Sequence, residues 1–416
     1  MSLCRVALVL SVSLASSCSL LFSADPGDDG LSASDGGVTS ADAGVQRDAD
    51  GCTSVSPHVD TCEIEEKDGG LPLLLYAFGT YTLNTQELIL TGPAPEMLEI
   101  PMTGKRYTLA DGTVIFLVRT ETLEIAAGTT LRAIGDVPLV IIARNTIQLR
   151  GTIDVSSANT QDCMQRGQGT GANPDACLVF HQTTSGNNVG SGGGGGGFGS
   201  AGGASFSDDT SGAGGGISSP MTLRGGCDGG SAKLDEDDQI KGGQAGGALA
   251  IISFDSIALF ATAKILAGGA GGLGGRAEGT IAISGSGGGS GGMIDLSAPQ
   301  IRVQGGAQIL ANGGGGGGGV GVLGNGDPDT AGSCGESAKG PDIALGGAGG
   351  AATIDNSTGG VGGNGASSIA NAKPGSATTE GGSGGGGGGV GHIRIHGTLN
   401  VESGAIISPQ ASKIKT

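Results

Sequence analysis

Few side chains in this sequence have the type and spacing for chemistry. His392, Arg394 and His396 alternate with Ile393 and Ile395, which places the three polar groups on one side of a strand. The two imidazoles would then stand about 13 Å apart, too far to share a metal ion. Solvation on an outer strand face is the simpler reading. Glycoside cleavage needs paired carboxylates at a fixed separation. The carboxylates singled out in the apolar segments are Asp154, Asp255, Asp295 and Glu402, with Arg144, Arg150, Arg302 and Arg394, and they form no acidic ladder that repeats through the segments. Gly-x-Ser-x-Gly occurs at residues 288–292 and 381–385, but inside polyglycine and without the strand-to-helix elbow a nucleophile needs. The phosphate-binding Gly-rich pattern lacks a following helix, and no calcium loop spacing is present. The acids at 235–238, and Asp327 and Asp329, read as solvated loop residues. No catalytic residue, metal or cofactor is therefore assigned, and the chain leans toward a protein that is not an enzyme.

The N-terminus reads as an address. Arg5 precedes an apolar stretch at 6–14, and Ala15, Ser16 and Ser17 form a small-residue cleavage site. Residues 1–17 are thus a signal peptide. Ala15-Ser16-Ser17-Cys18 resembles the bacterial lipobox, with Ala15 where Leu is usual. The resemblance implies an acylated Cys18 as first mature residue, and Ser19 after it implies the outer membrane, with the cell surface as destination. A plain secretory signal is the alternative. Residues 18–70 form an acidic flexible tether: twelve acids from Asp25 to Asp68 face only Arg47 and Lys67.

Eight cysteines are present. With Cys4 in the signal and Cys18 acylated, Cys52, Cys62, Cys163, Cys177, Cys227 and Cys334 remain as disulfide candidates, as an even number in an exported chain implies. No Cys-x-x-Cys occurs, which argues against zinc and thioredoxin-like chemistry. Of the 15 possible pairings, Cys52–Cys62, Cys163–Cys177 and Cys227–Cys334 are expected.

Composition limits the partners. The net charge of −18 disfavours nucleic acid. The chain holds 90 glycines and 14 prolines in 416 residues, a disorder-prone composition. Its mean hydropathy is nonetheless +0.09, and its Ile, Leu and Val fall in blocks. No later stretch is long and apolar enough to span a membrane.

Those blocks share a frame. Val118, Leu123, Ile125 and Leu131 form the first copy, and Ile142, Ile147, Leu149 and Ile153 the second. Ile252, Ile257, Leu259 and Ile265 form the third; Leu296, Ile301, Val303 and Ile309 the fourth; Ile395, Leu399, Val401 and Ile407 the fifth. The two-residue step marks a strand. Each unit is too short to bury its apolar face alone, so the units must stack. The first two copies lie 24 residues apart, which suits one coil of a right-handed parallel β-helix, with coils about 4.8 Å apart. A β-sandwich is the rival, with hairpin turns such as Asn-Gly between its strands, but Asn312-Gly313 opens a long glycine run and closes no tight hairpin.

The frame resembles pectin-lyase-like β-helices, in the glycine-rich variant found on large bacterial surface proteins. The resemblance spans at most residues 110–410 and implies an all-β solenoid over 71–412. Residues 71–110 would cap its N-terminal end. Enzymes of that fold cluster Asp with Arg or Lys on one outer strand face, a cluster not evident here. Three glycine-rich insertions, at 156–247, 267–292 and 311–391, leave from one corner of successive coils. Their runs at 192–197, 313–319 and 384–389 either form flexible loops or pack as extended three-fold helices bonded through backbone N–H groups. The expected role is a non-enzymatic surface lipoprotein of the bacterial envelope, structural or adhesive, anchored to the membrane by its lipid and meeting polysaccharide or other surface components. A carbohydrate-active β-helix enzyme, and a polysaccharide- or ice-binding module, are the alternatives.

Overall fold

The computed structural model describes residues 72–414, apart from 94–98, 102–103, 110, 160–165, 173, 176, 178–191, 206–211, 219–221, 234–238, 279–280, 322–329, 347, 349–357, 369 and 378–381. The described residues are all-β, and among them no helix is long and apolar enough to cross a membrane. Two sheets of parallel strands curl around an apolar interior, with antiparallel strands added at one end.

The parallel strands fall into three rows, and among the described residues three two-stranded antiparallel pairs lie apart from them in the insertions. The first row runs Val114–Thr120, Leu139–Ala143, Ala248–Ser253, then residues 293–297 and 392–396. The second runs Leu73–Leu75, Leu123–Ile125, Ile147–Leu149, Ser256–Leu259, then residues 300–303 and 398–401. The long strands Met293–Val303 and His392–Val401 serve both rows, with the register broken between Ser297 and Gln300. The third row runs Gly79–Asn84, Thr129–Ile134, Thr152–Asp154, Lys264–Leu266, Gln308–Leu310 and Ile406–Ser408. Left-handed glycines open tight corners between the second and third rows, at Gly128 (φ 78°) and Gly404 (φ 89°).

The repeating frame is legible as register. Leu123, Ile147, Ile257, Ile301 and Leu399 are successive partners in the second row. Leu131, Ile153, Ile265, Ile309 and Ile407 are successive partners in the third. These residues belong to one continuous core. Fully burying one such side chain stabilises by roughly 1.5–3 kcal/mol. One frame position slips. Val118, Leu296 and Ile395 point inward as expected, but their partners are Ile141 and Ile251 rather than Ile142 and Ile252. Leu139–Ala143 and Ala248–Ser253 are buried on both faces. With no polar alternation, a one-residue slip carries no penalty that the sequence can display.

At the N-terminal end, Gly104–Thr108 adds antiparallel to the first row. Ile89–Thr91 and Glu99–Pro101 add antiparallel to the third.

The insertions leave after the neighbouring third-row strands Thr152–Asp154, Lys264–Leu266 and Gln308–Leu310, and return as neighbouring first-row strands. Between these points the glycine runs are ordered. The N–H groups of Gly313, Gly316 and Gly319 donate to Ala366, Gly363 and Gly360. Those of Gly314 and Gly317 donate to Gly289 and Ser286, and those of Gly315 and Gly318 to Glu336 and Ser333. Every third residue thus bonds the same neighbour, and three neighbours surround the run. This is the bonding of packed helices with three residues per turn. The run at 384–389 repeats it, with Gly385 and Gly388 bonding one neighbour and Gly386 and Gly389 another. None of these runs holds a left-handed glycine, so glycine serves proximity here. A Cβ on Gly316 would collide with the Gly385 carbonyl.

Phe198 and Leu223 of the first insertion pack on the outer face of the first row, against Val140, Ile142, Ala250, Ile252 and Met293. This second core makes the first row apolar on both sides.

Candidate functional site

Two groups of ionisable side chains project from the rows, one sealed and one open. The sealed group sits in the last layers of the first row. Along one outward column Leu117, Val140 and Ala250 give way to Asp295 and then Arg394. His396 follows one step along the strand, opposite Ser297, with Nε2 3.3 Å from Asp295 Oδ1. His396 is 1% exposed and Arg394 9%. The expectation of solvation is therefore corrected for Arg394 and His396, while His392 is half-buried. The glycine insertion returns over the outer face of this row, so outward is not toward water. Taking charges out of water costs several kcal/mol per ion, on the order of what a close partner regains.

His392 anchors the edge of this region. Its Nε2 lies 2.7 Å from the Ser218 carbonyl oxygen. Its ring meets Phe198 edge-on, centroids 4.7 Å apart. Arg224 donates to Ser218 Oγ at 2.7 Å and places its guanidinium 5.0 Å from the Phe198 centroid. Burial pushes the His392 pKa down, the Ser218 bond opposes this, and Arg394 and Arg224 add to the lowering.

The open group lies on the outward face of the second row. Tyr76 Oη donates to Glu124 Oε2 at 2.7 Å. Arg150 Nη1 donates to Glu124 Oε1 at 3.2 Å and to Gln148 Oε1 at 3.4 Å. The Arg150 guanidinium also lies 3.9 Å above the Phe260 ring. The Glu124 hydrogen bond pushes the Tyr76 phenol up. Further along the same face Arg302 pairs with Glu402 at 2.6 Å. The Arg302 bonds, with the Gly305 N–H, hold the Glu402 carboxyl below the usual range.

Other sequence candidates are scattered. Asp154 pairs with Arg132 at 2.9 Å on the third row, and Arg144 and Asp255 are exposed in turns. No group of three or more His, Cys, Asp or Glu that could hold a metal occurs among the described residues. Cys18, Cys52, Cys62, Cys163, residues 235–238, Asp327 and Asp329 lie outside the described residues. The disulfide expectation is corrected at two pairs. Cys177 bonds Cys227, which excludes both Cys163–Cys177 and Cys227–Cys334. The two segments meet because Gly225 donates to the Gly171 carbonyl, which draws the Cys177 turn against the 223–230 run. Cys334 is disulfide-bonded as well.

Sequence reasoning passed over Tyr76, Phe78, Glu124, Gln148 and Phe260, because they lie outside the apolar quartets or between their members. The signal that would find them is the outward parity of the strands that carry the quartets. It also passed over a three-residue period in the glycine runs. Ala267, Ala270, Leu273 and Arg276 stand at every third place between glycine pairs, as do Thr358, Val361 and Asn364.

Comparison with protein-family models, with curated proteins and with solved structures found no match to this chain.

Proposed function

We propose that this chain is a non-enzymatic lipoprotein of the bacterial cell surface, serving envelope structure or adhesion. In this reading Cys18 carries the lipid at the outer membrane, residues 18–70 tether the domain, and the curled rows form a short right-handed parallel β-helix. One observation carries the non-enzymatic half. The place where an acid, a guanidinium and an imidazole meet, at Asp295, Arg394 and His396, is closed beneath covering chain rather than presented in a cleft. A substrate would have to displace covering chain to reach these buried side chains. The glycine layer supports a shape-holding role, since its N–H groups are used on three sides and little is left to move.

Two experiments test the reading. Palmitate labelling in a bacterial host, compared with Cys18→Ser, should show label on the wild-type chain alone. Protease treatment of intact cells should then remove the wild-type domain. An unlabelled wild-type chain overturns the anchoring. A polysaccharide-degradation screen that yields shortened products overturns the non-enzymatic half.

A further inference from the structure

We infer that the outward face of the second row is a binding face for a neutral polysaccharide chain. The inference rests on the adhesive reading above and names its partner.

Tyr76, Glu124, Arg150 and Phe260 form one unbroken strip, linked by contacts of 2.7, 3.2 and 3.9 Å. By register the strip crosses from the layer of Leu75 through those of Ile125 and Leu149 to that of Leu259. At one strand spacing per layer that is about 14 Å, the footprint of an oligosaccharide rather than a single sugar. Gln148 lies beside Arg150, and Gln304 follows Val303 in the next layer. Phe78 stands at the corner beside Tyr76 and is 84% exposed, its ring edge against Gly128. Tyr76 is 54% exposed. This is a concentration of rings in a chain with no Trp and only 3% aromatics.

The chemistry fits sugars. Flat rings cover the C–H faces of pyranoses, while amide, guanidinium and carboxylate groups reach their hydroxyls. Mutual contacts hold the polar groups in place before a ligand arrives, which lowers the ordering cost of binding. Rigid tyrosines supply contact area with little loss of freedom. Charge selects a neutral polymer. Glu124 and Glu402 are each paired to a guanidinium, so the face carries no surplus of either sign. The whole chain, at −18, repels acidic polymers.

The test is affinity electrophoresis and calorimetry of the full chain with soluble β-glucan, xylan and galactomannan, with polygalacturonate as the acidic comparison. At least one neutral polymer should bind. Losing one ring stack should weaken binding about three- to ten-fold, so Tyr76→Ala with Phe78→Ala should cost at least about ten-fold. Adding Phe260→Ala should deepen the loss, and Lys373→Ala in the glycine layer should leave affinity unchanged. Tyr76 and Phe78 are exposed, so the double variant tests binding even if the triple variant folds poorly. Binding to none of the neutral polymers, preference for polygalacturonate, or full affinity in the double variant overturns the inference. Shortened products whose release needs Tyr76 and Phe78 would support the face and sink the non-enzymatic reading instead.

Discussion

Ile257 and Gly316 sit in two regions that fill space with opposite materials. Ile257 bonds through its backbone to strands on either side and places its side chain in a column between Ile147 and Ile301. Gly316 donates to Gly363 and has no side chain at all, and its neighbours come as close as carbonyl oxygens allow. The rows gain chiefly from apolar burial. The glycine layer gains from backbone hydrogen bonds worth about 0.5–1.5 kcal/mol each, while fixing each backbone costs about 1–2 kcal/mol, most of all for glycine. Left to itself the layer would not hold. Its ends are fixed by the rows, its flank by Phe198 and Leu223, and its first insertion by Cys177–Cys227. The difference teaches that the rows are the template and the glycine layer is the dependent part.

Substitutions can break that comparison in order of size. Gly316→Val puts a branched side chain into backbone on one side with no room to relax. It should exceed about 4 kcal/mol, the range where single changes are exceptional, and urea denaturation with calorimetry would read it. Ile257→Ala leaves a cavity in the column and should cost about 2–5 kcal/mol. Removing Cys177 and Cys227 together should cost about 2–4 kcal/mol. If the layer depends on the rows, limited proteolysis of that variant should cut first within residues 156–247 while the row strands persist.

The smallest effect is on pH. Burial lowers the His392 pKa in the fold below the free value of about 6.5. Stability from this group is fully present above pH ~6.5 and is lost as pH falls from there through the folded value. Arg394 and Arg224 face it and sharpen the loss. His392→Gln keeps a donor for the Ser218 carbonyl, so its unfolding midpoint should depend less on pH across that window. An unchanged slope would mean that His392 stays solvated.

How much of this was written in the chain differs between the two regions. The second and third rows are readable because Ile147, Gln148 and Leu149, or Thr152, Ile153 and Asp154, alternate with polar neighbours. The first row is not, since Ile141 and Ile142 are both buried and alternation cannot choose between them. The same hidden layer explains the misreading of His396. Its polarity pointed to water, whereas the outer face of its row is covered by an insertion that docks through Phe198 and Leu223, two apolar side chains in a glycine-rich stretch. The order of the glycine runs was open to either reading from composition alone. The every-third-residue placement of Ala267, Ala270, Leu273 and Arg276 is the physical sign that favours order, because a three-residue turn puts them on one side.

Amide hydrogen exchange, resolved to single residues, tests the central claim most directly. If the glycine layer is bonded on three sides and held by the rows, the amides of residues 313–319 should be protected to nearly the same degree as those of Ile257 and Ile301. Exchange of 313–319 at the rate of an unfolded chain, beside protected row strands, would contradict it.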